Sequence, residues 1–244
     1  MNEPKWELLE SAKHRNLQVN VSNYNTSENN KNTAHVSVGE LSALIHEYPV
    51  FIAKDPESGQ WQLLALFGLV RGENLFLDDT KWRATYLPMD VQRRPFRLLL
   101  PEGEMLQNGH VAIDINSEQI CSHGGQGIFD EQGRETEFLQ KIKQMFSTIM
   151  GATKQTQDIL KVAEKNGLIK PFDMKIDVDN KEPILLNGLY SFDRTAVTEL
   201  KGEALQECHD SGVLQICHLI ISSTFHMNKL IRWHNIKHAE QTTA

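Results

Sequence analysis

Residues 48–100 have the sequence YPVFIAKDPESGQWQLLALFGLVRGENLFLDDTKWRATYLPMDVQRRPFRLLL, and this stretch decides the fold. Two apolar runs, residues 49–54 and residues 62–69, flank the segment DPESG. Gly59 in that segment supplies the backbone freedom that a tight reversal needs. The pattern therefore predicts a β-hairpin.

A second pair of short apolar runs follows at residues 74–77 and 82–87, and the polar residues 78–80 separate them. Pro88 lacks a backbone N–H, so the second run cannot continue as a central strand. The next proline biases the preceding residues of the segment RRPF, residues 93–96, toward extended geometry. We expect a small antiparallel sheet from the whole stretch.

The same residues carry a family resemblance. The motifs YPVFI, GL-x-x-GENLF, W-x-x-x-Y-L-P at residues 82–88 and RRPF resemble, in order and spacing, the SapC family of bacterial proteins. The resemblance extends over residues 35–230, because GIFDEQG, ILLNGLYSFD and SGVLQICHLIISSTFHMNKL are also similar to family segments. The family takes its name from a bacterial surface-layer gene region, which implies no reaction. The resemblance implies a functional link to oxygenase-like or halogenase-like proteins encoded nearby.

Composition excludes several classes of protein. A chain of 244 residues with 40% hydrophobic and 23% charged residues can bury a core of ordinary size. The formal net charge of −7 argues against a general nucleic-acid binder, which needs basic residues to replace phosphate counterions. The charge is uneven, since residues 71–97 hold six basic and four acidic side chains while residues 102–137 hold eight acids and one arginine.

The cysteines and the lengths of the apolar runs indicate the cellular compartment of the protein. Cys121, Cys208 and Cys217 form no C-x-x-C pair, which is typical of a reduced intracellular protein. The segment MNEPKWELLESAKHR lacks the apolar core of a secretory signal, and no run of eighteen apolar residues exists. We expect a cytoplasmic protein with no membrane span.

The domain organisation follows from the amino-terminal composition. Residues 4–15 predict a short amphipathic helix, and residues 20–32, rich in Asn, Ser and Thr, predict a mobile arm. Residues 1–34 would thus precede a SapC-like domain at 35–244. Within that domain we expect a β-rich part at 35–134 and a helix-rich part at 135–244.

Periodicity and capping residues place the remaining elements. The capping-box pattern at Ser37 and Glu40 predicts a helix over residues 38–47, and Asp193 can cap another helix. Gly167 is suited to end a helix. The predicted fold class is α+β, with an antiparallel sheet from the first half covered by helices from the second half. The other expected elements are strands at 111–115, 172–178 and 184–190, helices at 136–150, 157–166, 194–209 and 222–238, and a strand or helix start at 213–221.

Arg93 and Arg94 are the main site candidates. A guanidinium group holds a carboxylate or phosphate through two parallel hydrogen bonds. In the simpler interpretation one arginine pairs with an acid such as Asp90 and the other is solvated. The residues close enough in sequence to line one ligand-binding pocket with the pair are Arg71, Asn74, Trp82 and Tyr86. The simpler interpretation of Asn74, which we favour, is that it builds a turn together with Gly72.

The sequence predicts no metal site and no cofactor. His234 and His238 have the H-x-x-x-H spacing of zinc ligands, but a solvated, fraying helix end explains them more simply. The dipeptides Cys208-His209 and Cys217-His218 do not by spacing alone make four ligands. The motifs G-x-S-x-G, G-x-x-x-x-G-K-[ST] and H-E-x-x-H are missing.

Two classes of function remain open. The first is a non-catalytic binding or accessory protein that recognises an acidic or carboxylate-bearing partner, which is either a protein or a small acidic ligand. The second is an enzyme with a non-standard active site around Arg93 and Arg94, with His218 as a further member. The oligomeric state is left open.

Overall fold

The computed structural model describes residues 3–78, 81–99, 109–177 and 182–240. The chain divides into two compact units that alternate along the sequence. The first unit consists of Met1–Asn30, Leu77–Arg83 and Met89–Gly151. The second unit consists of Lys31–Phe76, Ala84–Pro88 and Ala152–Ala244.

Short strands and helices of very unequal length make up the described chain. The strands are β1 (Trp6–Leu8), β2 (Gln18–Val19), β3 (Thr33–Val36), β4 (Val50–Lys54), β5 (Trp61–Leu66), β6 (Leu77–Asp78), β7 (Lys81–Trp82), β8 (Phe96–Leu99), β9 (His110–Asp114), β10 (Ile120–Cys121), β11 (Gln126–Gly127), β12 (Ile169–Pro171), β13 (Met174–Ile176), β14 (Ile184–Leu186) and β15 (Leu189–Phe192). The helices are α1 (Ser11–His14), α2 (Leu41–Leu44), α3 (Met89–Gln92), α4 (Glu137–Lys165), α5 (Arg194–Glu199), α6 (Gly202–Asp210), α7 (Val213–Ser223) and α8 (Met227–Glu240), with 3-10 turns at Val38–Glu40 and Thr224–His226.

The first unit is built on a three-stranded antiparallel sheet in the order β1-β9-β8. A smaller sheet has the order β10-β2-β11. The amino-terminal turns of α4 supply apolar side chains to the core of this unit, because their spacing of three to four residues places them on one helical face. The buried core members are Val19, Phe96, Ile113, Ile128, Leu139, Ile142 and Phe146.

The second unit contains a five-stranded antiparallel sheet in the order β12-β15-β4-β5-β3. The strand β4 is buried from Val50 to Ala53, as expected for an apolar run in the middle of a sheet, whereas β5 alternates at its start. The helix α7 packs on β4, and the hydroxyl of Ser223 accepts a hydrogen bond of 2.9 Å from the backbone N–H of Val50.

The main predictions from local patterns are confirmed. The fold class is α+β with antiparallel sheets, and β4 and β5 form the predicted hairpin. Both hydrogen bonds of the capping box at Ser37 and Glu40 are present. Asp193 accepts hydrogen bonds from the backbone N–H groups of Thr195 and Ala196. Gly167 follows α4 with a φ of +66°, in the left-handed region that favours glycine.

The amino-terminal segment differs from its prediction. Residues 4–15 do not form one helix, because Trp6–Leu8 pairs with β9 as a strand and only Ser11–His14 is helical. The segment predicted as a mobile arm contains buried polar residues, with Thr26 at 3% and Asn29 at 1% exposure. In both cases contacts with residues distant in sequence override a weak local preference.

The helical part differs from its prediction at two places. The helix α4 is continuous over 29 residues, where two helices were expected, because Gly151 is only a moderate breaker within good helix formers. Extended backbone at Leu200 and Lys201 divides the predicted helix 194–209 into α5 and α6. The ambiguous segment 213–221 is helical, as part of α7. The second predicted hairpin is reduced to β6 and β7, and its turn residues 79–80 lie outside the described residues. Residue 178 of the predicted strand 172–178 and residues 179–181 of the predicted turn 179–183 also lie outside them.

Among the helices of the described residues, none combines the length and the hydropathy needed to cross a membrane.

Candidate functional site

The six predicted site residues are shared between the two units. Trp82, Arg93 and Arg94 belong to the first unit. Arg71, Asn74 and Tyr86 belong to the second.

The guanidinium group of Arg94 is buried and its hydrogen bonds are internal to the first unit. Its Nη1 atom donates to the side-chain oxygen of Asn29 at 2.6 Å and to the backbone carbonyl of Glu28 at 2.8 Å. Its Nη2 atom donates to Asp90 at 3.1 Å. With only 3% of its surface exposed, Arg94 serves as an internal clamp.

Arg93 shares the same acid. Its Nε and Nη2 atoms donate to one carboxylate oxygen of Asp90 at 3.0 and 2.5 Å, and its Nη1 donates to the backbone carbonyl of Phe96 at 2.7 Å. The guanidinium carbon also lies 5.9 Å from the ring centre of Phe146. Both arginines therefore pair with Asp90, and neither is the solvated partner that the simpler interpretation expected.

The remaining predicted residues have separate surroundings. In the first unit, Trp82 contacts Tyr24 edge to face, with ring centres 6.0 Å apart. In the second unit, Asn74 is buried and its side-chain oxygen accepts a hydrogen bond of 2.9 Å from the backbone N–H of Phe76, which is the turn-forming role. Arg71 and His218 are exposed.

Tyr86 belongs to a polar cluster of the second unit. Its hydroxyl donates to the buried carboxylate of Glu40 at 3.0 Å, and its backbone N–H donates to Glu47 at 2.9 Å. Burial, together with the nearby charge of Glu40, raises the pKa of Tyr86. The phenol thus stays protonated as a donor, and these bonds fix the segment Ala84–Pro88.

The first unit also contains a cavity of about 680 Å³. Buried and half-buried apolar side chains line its interior, among them Leu139 and Phe146. Its exposed lining residues carry both charges, since Arg134 and Lys143 are basic while Glu10 and Glu135 are acidic. The volume lies within the roughly 300–1,000 Å³ typical of small-molecule sites.

A tight loop at residues 68–75 of the second unit carries Glu73. The backbone N–H of Leu75 donates to the carbonyl of Phe67 at 2.8 Å and closes the loop. Gly68 allows the closure, because a Cβ atom there would lie 2.2 Å from the carbonyl oxygen of Glu73. The backbone N–H of Leu69 donates to Oε2 of Glu73 at 3.0 Å, which fixes the orientation of the carboxylate.

Two histidines of α8 meet this carboxylate. Nδ1 of His234 lies 2.9 Å from Oε1 of Glu73, and Nε2 of His238 lies 3.1 Å from the same oxygen. The side chains of Glu73 and His234 are 5% and 4% exposed, whereas that of His238 is 26% exposed. Among the described residues this is the one group of three or more His, Cys, Asp and Glu side chains with the convergence of a metal site.

Glu73 is held in its charged form. Burial by itself would raise the pKa of its carboxyl group, but hydrogen bonds from His234, from the backbone of Leu69 and from His238 outweigh this and lower the pKa. The loop therefore presents a carboxylate at neutral pH.

The H-x-x-x-H spacing at the end of the chain predicts a solvated helix end for His234 and His238, whereas His234 is buried. The missed signal is the position of the histidines on α8. Met227 and Leu230 are buried, and His234 and His238 continue their face at helical spacing. Polar side chains on the apolar face of a helix require polar partners, and Glu73 is that partner.

A family model described as SapC matches residues 9–230 of the 244-residue chain. The comparison with curated proteins finds no match. The comparison with solved structures also finds none.

Proposed function

This chain belongs to the SapC family, and on that premise we propose that it is a non-catalytic binding or accessory protein for a small carboxylate-bearing ligand. The observation that carries the proposal is the cavity of the first unit, where buried apolar side chains lie next to the exposed cations Arg134 and Lys143 and the exposed acids Glu10 and Glu135. A ligand with an apolar chain and a carboxylate head matches both parts of this lining.

The cationic side chains at the cavity have ion-pair partners in the protein that a ligand carboxylate can replace. Lys143 pairs with Glu135, and Arg134 pairs with Asp130 at 2.7 Å. Arg134, Lys143 and Glu135 have well-exposed side chains, and exposed pairs of this kind contribute only about 0–1 kcal/mol. A ligand carboxylate could replace Glu135 at Lys143 at little cost, while the apolar chain of the ligand leaves water.

Arg93 and Arg94 have a supporting role in this proposal. Arg93 lies against the ring of Phe146, which lines the cavity. Since Asp90 holds both guanidinium groups, the arginine pair fixes the wall of the cavity, and the ligand contacts other residues.

Calorimetric titration with decanoate and with decan-1-ol tests the proposal, because the two probes share an apolar chain and differ in charge. We expect decanoate to bind more tightly than the alcohol. Lys143→Ala should weaken decanoate binding by roughly two- to fivefold, as expected for the loss of an exposed ion pair. Lys141→Ala is the matched control, because Lys141 is exposed on the same helix and does not line the cavity.

Equal affinity for the two probes would contradict the proposal, as would unchanged decanoate binding by Lys143→Ala.

One observation favours the second candidate, an enzyme with a non-standard site. The convergence of Glu73, His234 and His238 supplies three ligands of the kind found in catalytic metal centres. This observation lies in the second unit and moves the enzyme alternative away from Arg93 and Arg94.

A further inference from the structure

We propose that Glu73, His234 and His238 form a binding site for one divalent first-row transition-metal ion. This inference goes beyond the binding function proposed for the first unit and does not depend on it.

The fold places the three side chains together without distorting α8. His234 and His238 are four residues apart, so they lie on one face of the helix. Trp233 packs edge to face on Phe76, with ring centres 5.3 Å apart, and holds the helix against the loop that carries Glu73. The contact between Glu73 and His234 joins residues 161 positions apart in sequence.

The spacing of the ligand atoms suits a single ion. Bonds of about 2.0–2.2 Å, at tetrahedral or octahedral angles, place two ligand atoms of zinc about 2.8–3.6 Å apart. Oε1 of Glu73 lies 2.9 Å from Nδ1 of His234 and 3.1 Å from Nε2 of His238. All three ligand atoms lie within 4.8 Å of one another.

The surroundings of Glu73 resemble the supporting hydrogen bonds of a metal centre. Nδ1 of His234 lies 2.9 Å from Oε1 and 3.0 Å from Oε2, and Nε2 of His238 lies 3.1 Å from Oε1. Oε2 also accepts a hydrogen bond from the backbone N–H of Leu69. The carboxylate can therefore bind an ion through Oε1 while Leu69 fixes its orientation. A buried carboxylate also requires compensation of its charge, which a cation provides directly.

The donor set selects the class of metal. Two imidazole nitrogens and one carboxylate oxygen suit Zn²⁺ or Fe²⁺, whereas Mg²⁺ and Ca²⁺ prefer oxygen ligands alone. Three protein ligands leave at least one coordination position for water or a substrate. The partly exposed His238 marks the side from which an ion can enter.

The alternative is a hydrogen-bonded cluster without a metal, in which an N–H of each imidazole donates to Glu73. Metal binding by the full-length, tag-free chain distinguishes the two. After treatment with a chelator and dialysis, the protein is equilibrated with Zn²⁺, its metal content is measured by mass spectrometry, and its affinity is measured by competition with a chromophoric chelator. We expect one Zn²⁺ per chain, which excess Mg²⁺ does not displace.

His238→Gln is the decisive variant, because His238 is partly exposed and its replacement disturbs packing less than replacement of the buried His234. It should lower the Zn²⁺ affinity by more than the roughly 10–100-fold caused by loss of an outer-shell partner. His209→Gln is the matched control, since His209 is an exposed histidine outside the cluster, and it should bind as the wild type does. Circular dichroism of each variant verifies that it is folded.

Two results would overturn the proposal: a stripped wild-type chain that takes up no stoichiometric Zn²⁺, or a folded His238→Gln variant with wild-type affinity. Displacement of Zn²⁺ by Mg²⁺ at comparable concentration would overturn the assigned class of metal. Decanoate binding in the first unit is a separate readout that His238→Gln should leave unchanged.

Discussion

Arg94 donates a hydrogen bond of 2.6 Å to the side-chain oxygen of Asn29, and both residues are buried. This bond joins the arginine pair to the segment that composition predicts as a mobile arm. Asn29 in turn donates from its side-chain nitrogen to the backbone carbonyl of Tyr24 at 2.9 Å. The order of the arm therefore depends on a guanidinium group 65 residues further along the chain.

Arg94→Ala should lower the free energy of unfolding by about 1–3 kcal/mol, because it removes one of the two guanidinium groups that pair with Asp90 and the donor to the side-chain oxygen of Asn29. Arg94→Lys should restore only part of this loss, since an ammonium group cannot reproduce the planar set of donors. Urea denaturation measures both changes. Arg71→Ala, at an exposed position, is the control and should change stability by less than about 0.5 kcal/mol. Equal stability of the two alanine variants would contradict the clamp.

Gly68→Ala should destabilise the second unit by about 1–3 kcal/mol or more, because the added methyl group meets the backbone carbonyl of Glu73 at 2.2 Å. A backbone group cannot rotate away as a flexible side chain can. Gly151→Ala is the matched control, since nothing lies within 4 Å of the added atom and the position is helical. It should stabilise the chain by roughly 0.5–1 kcal/mol. Thermal denaturation of both variants would show opposite shifts, and shifts of the same sign would contradict the close approach.

Because of Glu47, the free energy of unfolding should decrease as the pH falls below about 4.5. Burial alone would raise the pKa of Glu47, but hydrogen bonds from the backbone N–H groups of Tyr86 and Thr85, together with the charge of Lys229, lower it below its ordinary value of 4.5. The stabilisation is therefore complete above pH 4.5 and is lost as the pH falls through the lowered pKa. The stability difference between the wild type and Glu47→Gln should shrink over that range.

Urea denaturation of both proteins between pH 7 and pH 3 measures this difference. Glu57→Gln, on an exposed turn, controls for the loss of one negative charge. A wild-type advantage over Glu47→Gln that stays constant down to pH 3 would argue against the assigned contacts.

The cysteines should differ sharply in reactivity. Burial raises the pKa of the Cys217 thiol to about 11, and it also raises the pKa of Cys208. The thiolate is the reactive form, so a disulfide reagent at pH 8 should modify half-buried Cys121 first. In denaturant all three thiols should react. Cys121→Ser should remove the fast phase of the folded protein, and its persistence would contradict the burial of the other two.

The fold could be predicted where neighbouring residues determine the structure. The hairpin of β4 and β5 follows from two apolar runs around Gly59, and the cap at Asp193 follows from one side chain beside its own helix. The pairing of Trp6 with Asp114 could not be predicted in this way, because the partners lie more than a hundred residues apart and the local pattern of residues 4–15 also suits a helix.

The sequence predicts only part of the candidate metal site. The spacing of His234 and His238 showed that they share a helical face, but nothing local identified Glu73 as their partner. The pattern of buried positions on α8 would have improved the prediction, since Met227 and Leu230 lie on the same face. For Arg93 and Arg94, the nearby Asp90 was recognised as a partner, but the pairing of both arginines with it depends on the geometry of α3.

The alternation of the two units along the sequence limits how the protein can be divided and how it can be made. The chain passes from one unit to the other five times, after residues 30, 76, 83, 88 and 151. No single cut in the gene therefore yields either unit whole. During synthesis, the first unit lacks part of its chain until Gly151 has left the ribosome, although a stretch of the second unit has emerged by then. The growing chain should therefore need chaperones until at least Gly151 has been synthesised. Libraries of terminal truncations should contain few soluble fragments.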